Sequence, residues 1–554
     1  MTGPSDLLPR ARAWAEADPH LGDRAEIEGL VAEVLGMLTG APGAEPGAEG
    51  ELVARFAGPL VFGTAGLRGP LRAGPAGMNA AVVLRAAAGL ARHLLDRGER
   101  GGRVVVGFDA RRRSAEFAQL TAAVCTAAGF DVAVLDRPLP TPVLAFAARD
   151  AVAGVMVTAS HNPAGDNGYK VYLDGGAQLI PPADAEIEAA IAAVGPAAEL
   201  PLAGGARRLG DDVLADYVAA VVRSLRPETV PSRGQLRVAY TAMHGVGASS
   251  LRLVLAAAGF AEPVPVAEQD EPDPAFPTVP FPNPEEPGAV DLLLALVDRI
   301  DADLGLALDP DADRCSVVCG GRQLTGDEVG VLLADRLLRA GVRGTFASSL
   351  VSGSLLGVLV AAHGARFAQT PTGFKWIVRA GTADEPLVFG YEEALGYAVA
   401  PDVVRDKDGL SAGLAVALLA AELKAEGATV LDRLDELALE HGLFATGQLS
   451  LRVEDLSLID AAMARLRADP PATLLGRPVT ATDLGAEDPR VDAVRLIGDG
   501  VRVVVRPSGT EPKLKAYLEV VVPVPDPAAL AGARETAAAQ LHMLREEMSA
   551  TLGL

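Results

Sequence analysis

At 554 residues the chain exceeds the size at which one hydrophobic core keeps growing, so roughly three to five domains are expected. Its net charge of -23 argues against a nucleic-acid or anionic-membrane partner, because both reward clustered positive charge. The three cysteines make no disulfide framework, and neither a signal-peptide core nor a membrane-length apolar run is present, so we expect a soluble, cytoplasmic protein.

Short apolar strands alternate with helices along most of the chain. A helix is predicted first, followed by a Gly/Pro-rich linker at residues 41–47. Strand and helix patterns alternate from residue 103 and restart near residues 236 and 327. The predicted helices cover residues 25–38, 115–128, 145–150 and 329–339, and the predicted strands cover 104–108, 132–135, 154–158, 236–240, 304–308, 345–350, 501–505 and 517–522.

This order predicts the domain organisation. Three similar α/β units with largely parallel pairing are expected, followed by a distinct C-terminal unit of the α+β class. The predicted boundaries are 1–50 for an N-terminal helical extension with its linker, and 51–228, 229–328, 329–446 and 447–554 for four domains.

The segment TASHNP at residues 158–163 follows the predicted strand 154–158. Ligands of open α/β sheets bind at the carboxyl ends of strands, which makes Ser160 a candidate nucleophile. A capped turn is the alternative, and the segment taken alone favours it because it is rich in turn formers. Lys170, on the following predicted strand, is a candidate proton shuttle or phosphate contact; a solvated surface amine is its alternative.

Asp309, Asp311 and Asp313 follow the predicted strand 304–308. Alternate spacing in an extended segment places the three carboxylates on one side, as a hard divalent cation requires. A calcium-binding EF-hand loop is excluded, because its sixth position needs Gly and its twelfth needs Glu, and these are Arg314 and Gly320 here. Without a cation the carboxylates would repel one another, so the sequence predicts a metal site with Mg²⁺ as the candidate.

The segment GYEEALG at residues 390–396 follows a short apolar run. Glu392 and Glu393 can accept hydrogen bonds from vicinal hydroxyls, and the flanking glycines let the loop approach a ligand. A solvated acidic turn is an equal alternative for this segment taken alone. Basic residues flank the loop in sequence: Lys375, Arg379, Arg405 and Lys407.

The segment RPSGTEPK at residues 506–513 gathers donors for a phosphate group directly after a predicted strand. Arg506 offers a bidentate fork, and Ser508, Thr510 and the backbone at Gly509 supply further donors. It is the most specific phosphate-binding pattern in the chain.

Basic residues lie in or near all of these loops, although the chain as a whole is acidic. A second Gly-rich loop, at residues 62–69, carries Arg68 and is either another phosphate contact or a tight turn. The basic residues concerned are Arg68, Lys170, Arg314, Lys375, Arg405, Lys407, Arg506 and Lys513. A cationic cleft on an acidic body would focus an anionic sugar phosphate into the site.

In this order and spacing, the four segments resemble the α-D-phosphohexomutase superfamily, over nearly the whole chain from residue 62. The segments at residues 63–68 and 240–247 look most like its phosphoglucomutase and phosphopentomutase branch. The resemblance implies four domains around a central cleft, three α/β domains with mixed sheets and a C-terminal α+β domain, each giving one loop.

The resemblance also implies residue roles. Ser160 would be the phosphoserine, and His161, Lys170 and Arg68 would complete the catalytic set. Mg²⁺ would be held by Asp309, Asp311, Asp313 and the Ser160 phosphate. The implied substrate-binding residues are Arg314, Lys375, Glu392, Ala394, Arg405 and Lys407. The implied phosphate-binding residues are Arg506, Ser508, Gly509, Thr510 and Lys513.

The implied reaction interconverts glucose 1-phosphate and glucose 6-phosphate. Phosphoserine donates to the free hydroxyl of the sugar monophosphate, and the resulting sugar 1,6-bisphosphate turns within the site and returns its other phosphate to Ser160. Hexose-specific members commonly carry serine in the sugar loop where this chain has Ala394. A phosphopentomutase acting on ribose or deoxyribose 1-phosphate is therefore the close alternative.

Other functions remain open at this stage. A phosphomannomutase, a sugar-phosphate phosphatase and a non-catalytic sensor are weaker alternatives; the sensor is disfavoured because Ser160 and the three aspartates are present. The expected partner is a small sugar phosphate, with neither nucleic acid nor membrane. The sequence does not distinguish a monomer from a homodimer.

Overall fold

The computed structural model describes residues 4–39, 47–61, 66–453, 455–508 and 513–553. Four β-sheets follow one another along these residues, each with helices packed against it. The predicted fold class, three α/β domains followed by an α+β domain, is confirmed. Of the predicted linker at 41–47, all but Gly47 lies outside the described residues, so that prediction stays open.

Three helices precede the first sheet: α1 (Pro4–Ala17), α2 (Leu21–Thr39) and α3 (Ala48–Arg55). Their apolar faces form a small core with Phe56 and Ala73. Asp23 on α2 is buried; it accepts a hydrogen bond from the backbone N–H of Ala80 (3.1 Å) and pairs with Arg113 (2.7 Å). The N-terminal helices are thus fastened to the first α/β domain by both apolar and charged contacts.

The first α/β domain contains β1 (Leu67–Pro70), α4 (Ala80–Asp96), β2 (Arg103–Phe108), α5 (Ser114–Ala127), β3 (Asp131–Leu135), α6 (Thr141–Ala147), β4 (Ala153–Val157), β5 (Asp166–Leu173), β6 (Ala177–Gln178), α7 (Ala183–Ala192), β7 (Arg207–Leu209) and α8 (Asp211–Leu225). The sheet order is β1-β5-β4-β2-β3-β7, with β6 on β5. The apolar inner strands pair in parallel, whereas β5 is antiparallel to both neighbours on the path. The predicted helix at 145–150 is misplaced: α6 begins earlier because Pro142 suits a first helical turn.

The second domain contains β8 (Val238–Thr241), α9 (Gly247–Ala257), β9 (Val264–Pro265), α10 (Asp291–Ile300), β10 (Leu304–Leu308), β11 (Cys315–Cys319) and β12 (Arg322–Gln323). Its sheet order is β12-β11-β10-β8-β9, parallel on the β8 side and antiparallel beyond β10. A proline-rich segment, residues 271–289, connects β9 to α10 and contains no helix or strand.

The third domain contains α11 (Gly326–Arg339), β13 (Thr345–Ser349), α12 (Leu355–Ala362), β14 (Arg366–Thr370), α13 (Phe374–Ile377), β15 (Leu387–Glu392), β16 (Gly396–Ala398), α14 (Gly409–Ala425) and α15 (Val430–His441). Its sheet order is β14-β13-β15-β16. Helix α14 is apolar on nearly every side because it packs between α9 and β10 of the second domain and α11 and β16 of the third. Asp408 caps its first turn by accepting from the N–H groups of Leu410 and Ser411.

The C-terminal domain contains β17 (Leu443–Arg452), α16 (Ser457–Ala468), β18 (Thr473–Leu474), β19 (Arg477–Asp483), α17 (Leu484–Glu487), β20 (Val494–Gly498), β21 (Val501–Pro507), β22 (Lys513–Val522) and α18 (Leu530–Leu552). Its sheet is antiparallel throughout, in the order β17-β22-β21-β20-β19-β18.

The hydrophobic cores divide the chain differently from the sheets. One buried cluster runs through all three α/β domains, from Val105 through Leu306 to Leu437. The C-terminal domain has a separate core, centred on Val503 and Leu518. Among the described residues, no helix is both long enough and apolar enough to cross a membrane.

Candidate active site

Residues from all four domains line one cleft of about 910 Å³. The predicted residues that line it are Arg68, Ser160, His161, Lys170, Arg314, Glu392, Ala394, Lys407, Arg506, Ser508 and Lys513. Two predicted phosphate contacts, Gly509 and Thr510, lie outside the described residues. We call the part around Ser160 the serine end, and the part formed by β17, β21 and β22 the basic end.

Three fully buried carboxylates lie at the serine end, in the loop after β10. Ligand oxygens of Asp309, Asp311 and Asp313 lie within 4.8 Å of one another. Thr141, at the start of α6 in the first domain, donates its hydroxyl to Asp311 Oδ2 (2.6 Å), and its N–H to the Asp311 carbonyl oxygen (2.9 Å). Thr141 therefore fixes the acidic loop of the second domain against the first domain.

Ser160 follows β4 and is 2% exposed. Its backbone is left-handed, with φ 51°, and its N–H donates to Thr158 Oγ1 (2.8 Å). Its hydroxyl donates to Asp309 Oδ2 (2.7 Å) and lies 3.3 Å from His161 Nδ1. The structure thus brings together a serine and an aspartate that are 149 residues apart in sequence.

Two buried lysines balance part of the negative charge. Lys170 on β5 donates to Asp311 Oδ2 (2.7 Å) and Asp313 Oδ2 (2.8 Å), and Lys407 Nζ lies 2.9 Å from Asp313 Oδ2. Burial disfavours the charged lysine, but the two aspartates outweigh burial and raise the pKa of Lys170 above its usual range. Lys170 is therefore held protonated.

The remaining negative charge suits a divalent cation. Burial, together with the neighbouring Asp311 and Asp313, raises the pKa of Asp309 well above its usual range. Among the described residues, the buried Oδ1 atoms of Asp311 and Asp313 accept no hydrogen bond. Clustered carboxylate oxygens with unused lone pairs are the ligands that Mg²⁺ prefers, so the residues present fit this ion.

His161 lies against the proline-rich segment of the second domain. Its ring makes an edge-on contact with Phe281, with centroids 6.2 Å apart. Burial and the positive charges of Arg314 and Arg68 lower the pKa of His161 well below its usual value, so the imidazole is neutral. Arg68 donates to Asn162 Oδ1 (3.2 Å), in the same loop as His161.

In the loop at residues 390–396, which we call the sugar loop after its predicted role, some of the carboxylate oxygens already accept hydrogen bonds from the protein. Glu393 Oε2 accepts from the hydroxyls of Ser349 and Ser352, both at 2.9 Å. Glu392 Oε1 accepts from the Gly373 N–H (2.7 Å). Burial first, and then the charge of Glu393, raise the pKa of Glu392 to about 7. Ala394 also lines the cleft, and its side chain has no hydroxyl group to offer a ligand.

Lys375 and Arg405 are not among the residues that line the cleft, and their role in binding substrate stays a prediction. Phe374, the first residue of α13, faces the cleft; a helix turns about 100° per residue, so Lys375 points elsewhere. Lys375 packs near the Trp376 ring (5.8 Å), and Arg405 donates to the Asp174 carbonyl oxygen (2.8 Å).

The basic end contains further cations besides the predicted Arg506 and Lys513. Arg452, Arg502 and Lys515 also line the cleft. Lys515 pairs with Ser450 on β17 and with Arg506 on β21, which explains how cations from different strands share one face. Basic and apolar residues alternate along these strands, and this alternation could have identified the additional cations from the sequence.

Comparison with known proteins assigns the class of the molecule. Family models described as phosphoglucomutase/phosphomannomutase alpha/beta/alpha domains I, II and III match residues 59–197, 215–322 and 325–438, and the C-terminal domain model matches 450–536. The chain belongs to the phosphoglucomutase/phosphomannomutase family, within the α-D-phosphohexomutase superfamily. It is an intramolecular phosphotransferase of the isomerase class, and the family depends in general on Mg²⁺.

Similar proteins carry different substrate names. A Haemophilus influenzae protein named "Probable phosphomannomutase" is 43% identical, over 80% of this chain and 93% of its own length. A Mus musculus phosphopentomutase is 33% identical, over 85% of this chain and 86% of its own. A Staphylococcus epidermidis phosphoglucomutase is 33% identical, over 83% of this chain and 90% of its own. These similarities support a sugar-phosphate mutase without selecting the sugar.

Proposed function

We propose that the chain interconverts glucose 1-phosphate and glucose 6-phosphate through a phosphoserine at Ser160. The observation that carries this proposal is the position of the Ser160 hydroxyl, 2.7 Å from Asp309 in a buried acidic cluster at one end of a cleft. The other end carries Arg506 and Ser508, donors suited to a phosphate that is not reacting. One cleft thus contains both a serine suited to phosphoryl transfer and side chains suited to binding the second phosphate.

In the first transfer, the free sugar hydroxyl attacks the phosphorus of phosphorylated Ser160 and the bond from phosphorus to Ser160 Oγ breaks. The hydroxyl loses its proton to a base, for which His161 is the candidate because its imidazole is neutral and its Nδ1 lies 3.3 Å from Ser160 Oγ. The product is a sugar 1,6-bisphosphate, which turns so that its other phosphate faces Ser160. The reverse transfer then restores phosphoserine, and no phosphate is released.

The three aspartates and an oxygen of the Ser160 phosphate would hold Mg²⁺. When bound, this ion neutralises charge on the transferred phosphoryl group. Lys170 and Lys407 remain protonated beside the aspartates and offset the rest of the negative charge. At the basic end, Arg506 and Lys513 bind whichever phosphate is not reacting, and their charge draws the anionic substrate into an otherwise acidic protein.

A pentose 1-phosphate is the second candidate substrate, and one observation favours it. With Glu393 engaged by two serine hydroxyls and Ala394 lacking a hydroxyl, Glu392 is left as the main hydroxyl acceptor of the sugar loop. A pentose presents fewer hydroxyls than a hexose, so a loop with fewer partners suits it. A hexose phosphate, with glucose first, remains the first proposal because the Haemophilus influenzae and Staphylococcus epidermidis relatives are both named as hexose-phosphate mutases.

The test compares kcat/KM for glucose 1-phosphate, mannose 1-phosphate and ribose 1-phosphate, with Mg²⁺ and a catalytic amount of glucose 1,6-bisphosphate. We expect isomer exchange that is greatest with glucose 1-phosphate, lost with a chelator and restored by Mg²⁺. Ser160→Ala should abolish exchange while retaining substrate binding. A strong pentose preference would replace glucose by the second candidate. Phosphate release without exchange would indicate a phosphatase, and full activity of Ser160→Ala would exclude the phosphoserine route.

A further inference from the structure

Arg111 binds the backbone of the serine loop, residues 158–166, through both terminal nitrogens of its guanidinium group. One terminal nitrogen donates to the carbonyl oxygens of Pro163 (2.8 Å) and Asp166 (3.2 Å). The other donates to the carbonyl oxygens of Ser160 (2.6 Å) and Asn162. Four backbone carbonyls of one short loop, including that of Ser160, therefore converge on one side chain.

The guanidinium group is itself held in place. Arg111 is 5% exposed; its Nε lies 3.4 Å from Asp109 Oδ2, and Asp109 Oδ1 accepts from the Ser114 hydroxyl (2.7 Å). The guanidinium carbon of Arg111 lies over the ring of Phe276, from the proline-rich segment of the second domain, at 4.9 Å from the ring centroid. The guanidinium group thus contacts a carboxylate at Nε and an aromatic ring, and both contacts restrict its position.

Arg111 does not line the cleft, whereas Ser160 and His161 do. The guanidinium group therefore binds the loop from outside the cleft. By drawing the carbonyl oxygens toward itself, it turns their negative dipoles away from the space in which a phosphoryl group would lie. Its charge also offsets those dipoles in a buried environment, where electrostatic interactions are strong.

We propose that Arg111 is a positioning residue for phosphoryl transfer, which holds the Ser160 hydroxyl on Asp309 through the loop backbone. This inference rests on the proposed function, because it assigns a role in the transfer step. A lysine cannot replace the arginine, since its three donors radiate from a single nitrogen and cannot span four carbonyls.

The test compares Arg111→Lys, which keeps the charge beside Asp109, with Arg111→Ala. We expect kcat to fall about 100-fold in Arg111→Lys, the scale of loss for a misplaced reacting group, with KM for the sugar phosphate close to its original value. The rate at which glucose 1,6-bisphosphate phosphorylates Ser160, followed by intact-protein mass, should fall in parallel. Guanidinium ion, added far below its unfolding concentration, should partly restore Arg111→Ala.

A second measurement does not depend on enzymatic activity. Amide hydrogen exchange in residues 158–166 should rise about tenfold in Arg111→Lys, the factor expected for losing roughly one net hydrogen bond. The matched control is Arg112→Ala, which removes an exposed arginine from the same segment. Loop exchange and kcat should stay near their original values in that control.

The outcomes separate this inference from the proposed function. Unchanged loop exchange in both Arg111 variants would overturn the inference, as would a raised KM at unchanged kcat, which would indicate a substrate contact. Equal effects in Arg112→Ala would also overturn it, since they would not depend on the hydrogen bonds of Arg111 to the loop. Raised loop exchange in a chain whose unsubstituted form has no mutase activity would overturn the proposed function but leave the loop-holding role supported.

Discussion

The serine end and the basic end of the cleft bind charge in different ways. At the serine end, Asp309, Asp311, Asp313 and Lys170 are buried and in mutual contact, and they belong to domains that share one hydrophobic core. At the basic end, the cations lie on an antiparallel sheet with a core of its own and are partly or fully exposed. We infer that substitutions at the serine end affect both folding and rate, whereas those at the basic end affect binding.

The largest expected effect is that of Lys170→Met at the serine end. Removing this cation leaves Asp311 and Asp313 buried with less compensation, so the free energy of unfolding, measured in denaturant with a chelator present, should fall by about 3 kcal/mol. The kcat should fall about 1,000-fold. Lys424→Met is the control, because its pair with Asp303 is partly exposed and should contribute about 1 kcal/mol or less. Equal losses in both variants would remove the distinction between buried and exposed pairs.

Next in size is Arg506→Ala at the basic end. Losing a charge-assisted contact of about 1.5–3 kcal/mol should raise KM for the sugar phosphate roughly 10- to 100-fold. The denaturation midpoint should hardly change, because Arg506 is partly exposed and lines the cleft rather than the core. Arg477→Ala, in the same domain but away from the cleft, should change neither quantity. A large loss of stability in Arg506→Ala would show that the two ends do not differ as described.

The sugar loop between the two ends gives a pH dependence. Burial and Glu393 raise the pKa of Glu392 to about 7 from its usual 4.5. A raised carboxyl pKa contributes stability that is full below the unfolded value and is lost as pH rises through about 7. Binding has the opposite sign, because the ionised carboxylate accepts hydroxyl hydrogen bonds more strongly. KM should therefore fall as pH rises through about 7.

The control for that pH profile is Glu392→Gln, which cannot ionise. It should retain only the dependence that comes from the substrate phosphate, whose second pKa is about 6. If the profiles of Glu392→Gln and the unsubstituted chain coincide, Glu392 does not contact the sugar.

The smallest expected effect is that of Ala394→Ser. One added hydroxyl contact should raise the ratio of kcat/KM for glucose 1-phosphate to that for ribose 1-phosphate by about 2- to 10-fold. Ala394→Cys is the matched variant, because it adds similar volume with only a weak hydrogen-bonding group. If the cysteine variant shifts the ratio as much as serine does, volume rather than hydrogen bonding selects the sugar.

The sequence predicted the features that local pattern controls. Strands that end in polar loops indicated Ser160 and Asp309, and both loops do lie at one end of the cleft. The spacing of the three aspartates predicted a metal site that is not an EF-hand, and their carboxylate oxygens do lie close together in the structure. Alternating apolar strands and helices gave the three α/β domains, and the change of pattern after residue 449 gave the α+β domain.

Features that depend on side-chain direction or on distant contacts were not predicted. Lys375 is adjacent to a cleft residue, yet the turn of its short helix directs it elsewhere. Thr141 and Asp311 meet across 170 residues, and Phe281 reaches His161 from a segment without helix or strand periodicity. Such contacts are fixed by domain packing, which no local pattern of residues records. The roles of the site residues and the domain boundaries remain predictions.

Asp23 has a consequence for where the first domain begins. The family model that matches this domain starts at residue 59, after all three N-terminal helices. Nevertheless Asp23 holds the start of α4 and pairs with Arg113, two residues beyond Arg111. A chain trimmed to the shared region would leave Arg113 without this carboxylate and would expose Ala73 to water. The packed structure around the first sheet therefore extends beyond the region matched by similarity, and its N-terminal helices contact the segment that contains Arg111 and Arg113.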